Sequence, residues 1–156
     1  MTTEQCSPQV KGAYSFTRPR FYSTMLILIE LDDTGKVTWS DADEAWLSID
    51  KECRNLVKNY FVRNATHRIL LLQIDYLCLH YMRTSRAPEN KTAYSELIKY
   101  LVQPVSLDCN GSLVIPFHEH YFVERLLVRG VTQFYGLESQ VSYVVPLLCC
   151  VHTFAH

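Results

Sequence analysis

The chain has few glycines and no Cys-x-x-Cys motif. Its five glycines are widely spaced among 156 residues, whereas a loop that cradles a nucleotide phosphate needs several close together. None of its six cysteines forms a Cys-x-x-Cys pair, the spacing of many zinc and redox sites. No Gly-x-Ser-x-Gly segment prepares a serine for nucleophilic attack. These absences favour a protein that is not an enzyme and that uses no cofactor.

The chain also lacks a charge of one sign and a long apolar run. Its formal net charge is -1, so nothing draws the whole molecule toward nucleic acid or anionic lipid, and any such contact must be local. No apolar run approaches the roughly 18 residues that a spanning helix needs, and the N-terminal residues do not resemble a secretory signal. We therefore expect a soluble intracellular protein, and its length favours one domain.

The first residues differ in composition from the rest. Residues 1–20 are polar, contain two prolines and have no sustained hydrophobic period, so we predict a flexible N-terminal arm followed by a single domain over residues 21–156. Lys11, Arg18 and Arg20 give the arm a mild positive charge. Aromatic residues alternate with these arginines, a composition that suits contact with phosphates or with a membrane interface.

The next stretch predicts two strands and a helix. Thr24–Leu31 is aliphatic and β-branched, and Asp32–Gly35 has the composition of a turn before a short strand at Val37–Trp39. Ser40 then precedes an acidic turn, which predicts the start of a helix of about five turns. Apolar residues recur along it at steps of three and four and predict its core face: Ala42, Trp46, Ile49, Cys53, Leu56, Val57 and Tyr60.

A central strand is predicted over Arg68–Met82, because alternate residues there form one wholly apolar face. A polar loop over Thr84–Lys91 follows it. Helical spacing then predicts a short second helix from Tyr94 to Leu101, and Pro104 ends the pattern.

The C-terminal third predicts further strands. The turn Asp108–Gly111 leads into a strand over Ser112–Phe117, and His118–Arg129 fits either a strand or a helix. We favour the helix, with Gly130 as its cap. Closing strands are predicted at Val131–Tyr135 and at Val141–Phe154, the latter at an edge or bulge because it contains Pro146. The predicted fold is α+β, a mainly antiparallel sheet packed against two or three helices.

One cluster in the sequence contains candidate metal ligands, and most of them are histidines. His118 and His120 would share a face of a strand, and His152 or a nearby cysteine could complete a tetrahedral site. A helix over the same residues would remove the shared face. A metal site is therefore kept only as an alternative.

Three segments resemble the matrix proteins of non-segmented negative-strand RNA viruses. The resemblance is strongest to the matrix proteins of rhabdoviruses. The segments are Ser23–Glu30, Thr38–Trp46 and Ile69–Asp75. In that family an apolar strand follows a flexible basic arm and leads to a helix that begins at Ser-Asp and bears an inward tryptophan. A strand rich in leucine and isoleucine comes next. The small size is similar to that of bornavirus matrix proteins.

This resemblance implies a structural protein of the virion that self-associates. Such a protein binds the viral nucleocapsid and attaches it to the inner face of a membrane. It lies peripherally on that membrane, on the side of the host cytoplasm, and it recognises no specific nucleic-acid sequence. The basic residues expected to make these contacts are Lys11, Arg18, Arg20, Arg83 and Arg86. No Pro-Pro-x-Tyr or Pro-Thr/Ser-Ala-Pro budding motif is present.

Two alternatives remain open from the sequence. One is a viral accessory protein that binds a host factor through the arm. The other is a small metal-binding protein that uses His118, His120 and His152.

Overall fold

A computed structural model describes residues 20–21, 41–63, 65–142 and 148–152. The strands predicted at 24–31 and 37–39, nearly all of the arm and Pro146 lie outside the described residues. The helices are α1 (Asp41–Leu47), α2 (Lys51–Arg63), α3 (Ala65–Thr84), a 3₁₀ turn (Lys91–Tyr94), α4 (Ser95–Ile98) and α5 (Phe122–Phe134). The strands are β1 (Ser106–Leu107), β2 (Leu113–Ile115), β3 (Glu138–Ser142) and β4 (Leu148–His152).

The chain is a small domain of mixed helix and strand, but the prediction of a mainly β structure is wrong. Most described residues are helical, and the strands form one small antiparallel sheet in the order β1-β2-β4-β3. In its middle, Val114 of β2 lies opposite Cys150 of β4, and Cys150 also lies opposite Gln140 of β3. The strands have two to five residues each, so the sheet alone cannot form the core.

The predicted helix from Ser40 begins where expected, at Asp41, but it is two helices and not one. The Gln133 side chain of α5 binds at the break: its Oε1 accepts from the Asp50 N–H at 3.0 Å, and its Nε2 donates to Asp50 Oδ2 at 2.9 Å. A tertiary contact from α5 therefore lies at the break between α1 and α2. The predicted core face is largely confirmed, since Ile49, Cys53 and Val57 are buried. Its partly buried members pack against the core: Trp46, Leu56 and Tyr60.

The central strand predicted over Arg68–Met82 is wrong, because these residues form most of α3. Strand alternation would place Leu72 and Tyr76 on one buried face with Leu70 and Ile74. Instead Leu72 and Tyr76 are 43% and 38% exposed, while Leu70 and Ile74 are fully buried. Eleven of the 15 residues in this run are hydrophobic, so periods of 2 and 3.6 both fit it. A run of that length is longer than an ordinary strand and favours a helix.

The helix over residues 69–75 departs from the viral resemblance, which implied a strand there. Ile69–Asp75 was one of its three segments, in the role of a strand, and it is helical here. Of the other two, Ser23–Glu30 lies outside the described residues. The remaining segment keeps its pattern in part: a helix begins at Asp41, and Trp46 is partly buried against the core.

Helix α5 confirms the helical interpretation of His118–Arg129 but extends further than predicted. It begins at Phe122 and ends at Phe134, so neither the cap at Gly130 nor the strand at Val131–Tyr135 exists. Gly136 follows the end of α5 and stops the helix from continuing. Its φ of +69° is accessible mainly to glycine.

The shorter predicted elements are close to those observed. Polar residues 85–90 form a loop, and the predicted second helix is the 3₁₀ turn followed by α4. Asp108 Oδ1 accepts from the N–H groups of Asn110 at 2.9 Å and Ser112 at 2.8 Å, which fixes the turn before β2. Helix α3 packs against α2, α4, α5 and the 3₁₀ turn, so the core is centred on α3.

Gly130 lets α5 approach α2 closely. A Cβ built on Gly130 would lie 3.1 Å from Val57 Cγ2 and 3.5 Å from Cys53 Cβ. Alanine is favoured over glycine in a helix by about 1 kcal/mol, whereas an extra carbon in a tight core costs about 1–3 kcal/mol. The two effects oppose each other at this position.

We predict that Gly130→Ala lowers the free energy of unfolding by about 1 kcal/mol, because the contact with Val57 outweighs the helix preference. In a Val57→Ala background the same change should raise it by about the same amount, as the obstructing methyl groups are gone. Chemical denaturation of the four chains measures the coupling. Equal effects of Gly130→Ala in both backgrounds would show that the contact is not tight.

Candidate functional site

A carboxyl group is buried on the core side of α3. Asp75 is 4% exposed, and it accepts a hydrogen bond from the hydroxyl of Tyr135, directly after the end of α5. The Tyr135 oxygen in turn accepts from the backbone N–H of Phe21 at 2.8 Å. We call these three residues the Asp75 network. It joins α3, the end of α5 and the start of the predicted domain.

The Phe21 side chain strengthens this attachment. It is 1% exposed, and its ring meets that of Phe134 edge to face, with centroids 5.2 Å apart. Phe21 is thus held both by its backbone and by its ring. Its neighbour Arg20 is exposed and lies beside α3 as a result.

Burial dominates the electrostatics of the network. Desolvation raises the pKa of Asp75 to about 6, although the Tyr135 hydroxyl and the positive charge of Arg20 both favour the carboxylate. Burial also raises the pKa of Tyr135, and the negative charge of Asp75 raises it further. The phenol of Tyr135 therefore stays protonated, and its O–H donates a hydrogen bond to Asp75. The carboxyl group of Asp75 is ionised for the most part at neutral pH.

Asp75 also lines a pocket beside α3, at the boundary between the core and the surface. This pocket, which we call the arginine pocket, has a volume of about 320 Å³. Seven further residues line it: Arg20, Leu72, Tyr76, Leu79, His80, Arg83 and Thr84. The pocket thus combines two guanidinium groups, one buried carboxyl and several apolar side chains.

The exposed apolar residues of α3 lead into this pocket. Ile69, Leu72 and Tyr76 are separated by three and four residues, so they follow one stripe of the helix. The Tyr76 ring lies 5.8 Å from the His80 ring, centroid to centroid. Leu72 and Tyr76 line the pocket together with Arg20 and Arg83, so apolar surface and positive charge are adjacent.

The structure brings together two of the five basic residues predicted to make contacts. Arg20 and Arg83 line the same pocket, and Arg86 is exposed in the loop directly after α3, where its backbone N–H donates to Thr84 Oγ1 at 3.2 Å. Lys11 and Arg18 lie outside the described residues. Sequence reasoning missed Asp75, although a single carboxylate within a long apolar run was a visible signal.

The candidate metal ligands do not form a site among the described residues. His118 and His120 are exposed in the turn before α5, with ring centroids 5.9 Å apart, and the His120 ring lies 4.1 Å from that of Tyr121. His152 is paired through its backbone with Glu138 in the sheet. Within the described ranges, no three metal-ligating side chains lie close enough to hold an ion.

The cysteines described by the structure fit the sequence interpretation. Cys53 and Cys78 are buried thiols, and burial raises the pKa of the Cys53 thiol, which keeps it protonated. Cys109 is free and exposed in the turn before β2.

Comparisons with known proteins identify no relative. No family model, no curated protein and no solved structure matches this chain. Over the part of the chain that is described, none of the helices combines the length and the apolarity needed to cross a bilayer.

The raised pKa of Asp75 makes a prediction about stability. Ionisation of this carboxyl is harder in the folded chain than in the unfolded one, so its contribution is most favourable at acid pH and is lost as the pH rises from about 4 to about 6. Asp75→Asn removes this dependence and keeps an oxygen that accepts from Tyr135.

We expect the free energy of unfolding of Asp75→Asn, relative to the native chain, to rise by about 2 kcal/mol between pH 4.5 and pH 7.5. Urea denaturation at the two pH values measures it. A difference that does not change with pH would mean that the carboxyl is not buried as described.

The Tyr135 hydroxyl can be tested separately. Tyr135→Phe leaves the buried carboxyl of Asp75 and the N–H of Phe21 without a partner, so we expect a loss of about 2–4 kcal/mol in the free energy of unfolding. Tyr76→Phe is the matched control, because that ring is partly exposed and the change should cost less than about 0.5 kcal/mol. Similar losses in both variants would argue against the Asp75 network.

Proposed function

We propose that this chain is a non-enzymatic structural protein of the viral matrix class, which self-associates and attaches the nucleocapsid to the inner face of a membrane. The observation that carries the proposal is the surface around the arginine pocket. There Arg20 and Arg83 lie next to exposed Leu72 and Tyr76.

This combination of side chains suits the headgroup region of a bilayer. Guanidinium groups form paired hydrogen bonds with phosphate oxygens, and tyrosine is favoured where an apolar interior meets water. Leu72 is available for the apolar boundary, and Arg86 adds a further exposed positive charge after α3. The surface supports peripheral attachment, in line with the interpretation drawn from the sequence.

One copy would bind weakly. Each arginine near an anionic membrane contributes about 1 kcal/mol, so two or three give a marginal affinity. Assembly of many copies on one surface multiplies such contacts without any new ones. Attachment through this surface therefore requires self-association.

An edge of the sheet offers a route to self-association. In the described sheet, β3 is paired with β4 on one side only, and its exposed Val141 adds apolar surface. An unpaired strand edge presents N–H and C=O groups that can extend the sheet into another copy.

The membrane contact is tested with paired charge variants. We expect Arg20→Gln/Arg83→Gln to bind vesicles containing 30 mol% phosphatidylserine about thirty-fold more weakly than the native chain, because two contacts of about 1 kcal/mol each are lost. Co-sedimentation over a range of salt concentrations measures this loss.

The matched control is Arg63→Gln/Arg68→Gln, which removes the same charge from exposed positions near the α2–α3 junction. Arg68 lies fifteen residues from Arg83 on α3, or about 22 Å along the axis. This variant should bind almost as the native chain does. Equal losses in the two double variants would reduce the proposal to unspecific charge attraction, and a monomeric chain indifferent to vesicles would contradict it.

A further inference from the structure

The arginine pocket contains opposite charges at different depths. Arg20 and Arg83 are exposed and stand at its rim, whereas Asp75 is 4% exposed and forms part of its floor. A simple anion would meet the two guanidinium groups favourably, but it would also meet the carboxylate. A ligand that carries both a negative and a positive group matches the pocket better than a simple anion does.

The hydrogen-bond donors and acceptors of the pocket narrow the choice of ligand. The ion pairs among the described residues do not involve Arg83, which lines the pocket, so its N–H groups can bind a ligand. The Thr84 hydroxyl is unavailable as a donor, because it donates to the His80 carbonyl at 2.8 Å. Among the described residues Asp75 accepts a hydrogen bond only from Tyr135, so it retains capacity to accept another.

The size and walls of the pocket favour a small polar group with an apolar neighbour. A volume of about 320 Å³ is at the lower end for ligand pockets, so it suits a headgroup better than a nucleotide. Leu72, Leu79 and the Tyr76 ring supply apolar walls. Exposed Ile69 and Leu72 continue that surface along α3, where the apolar part of a lipid could lie.

We propose that the arginine pocket binds the headgroup of an aminophospholipid. The phosphate lies between Arg20 and Arg83, and the ammonium group donates to Asp75. This inference rests on the proposed membrane function and specifies its partner. The pocket recognises a phosphate ester that carries an N–H donor. A lipid headgroup and a soluble amino-alkyl phosphate both contain these two groups.

The first test compares two anionic lipids. Vesicles with 30 mol% phosphatidylserine or 30 mol% phosphatidylglycerol carry similar surface charge, but only the serine headgroup has an ammonium. We expect the native chain to bind the phosphatidylserine vesicles about tenfold more tightly, as one charged hydrogen bond to a buried group is gained. Equal binding to both would overturn this inference and leave the proposed membrane function intact.

Variants assign the preference to its residues. Asp75→Asn should remove the preference for phosphatidylserine, because the ammonium loses its acceptor while phosphatidylglycerol is freed from repulsion by the carboxylate and binds at least as tightly as before. Arg83→Gln should weaken binding to both lipids. Arg68→Gln is the control and should change neither. A preference that survives in folded Asp75→Asn would overturn the role of the carboxylate.

A soluble probe separates the two proposals and needs no variant. Calorimetric titration of the native chain with phosphoethanolamine should give binding about tenfold tighter than with ethyl phosphate, which lacks the ammonium. Phosphoethanolamine binding without vesicle binding would support the pocket and contradict the membrane function. Equal or undetectable binding of the two small molecules would overturn the pocket assignment.

Discussion

Three distant parts of the chain meet through the hydrogen bonds among Asp75, Tyr135 and Phe21. A carboxyl group buried in the core is costly, which its raised pKa reflects, and the Tyr135 hydroxyl offsets part of that cost. The same hydroxyl oxygen holds the backbone at Phe21. Because Phe21 is fixed, Arg20 is held beside α3 and completes the arginine pocket together with Arg83. The network therefore connects the packing of the helices to the surface proposed to bind lipid.

The packing of α2 against α5 supports this arrangement from the other side of the core. Gly130 allows the two helices to approach, and Gln133 binds the backbone and side chain of Asp50 where the predicted long helix is interrupted. These contacts fix α5, and the end of α5 determines where Tyr135 lies. The position of the pocket floor thus depends on residues that never touch the pocket.

Sequence reasoning was accurate where one local signal dominated. The helix start at Asp41, the turn at Asp108 and strand β2 each have strong capping, turn or strand residues nearby. It failed over residues 68–82, where eleven of fifteen residues are hydrophobic and the hydrophobic period does not separate strand from helix. It also failed at Gly130, whose role is set by Val57 of another helix. Arg20 and Arg83 were identified as contact residues by charge, but only the fold shows that they share a pocket with Asp75.

The Asp75 network holds Phe21 to the core, and amide hydrogen exchange of Phe21 tests this most directly. The Phe21 N–H donates to a buried oxygen, so it should exchange only when the core opens, with protection comparable to that of Ile74 in α3. The exposed Asn110 N–H, which bonds to its neighbour Asp108 in a surface turn, should exchange much faster. If the Phe21 amide exchanges as fast as that of Asn110, the network does not hold this part of the chain, and the arginine pocket loses Arg20.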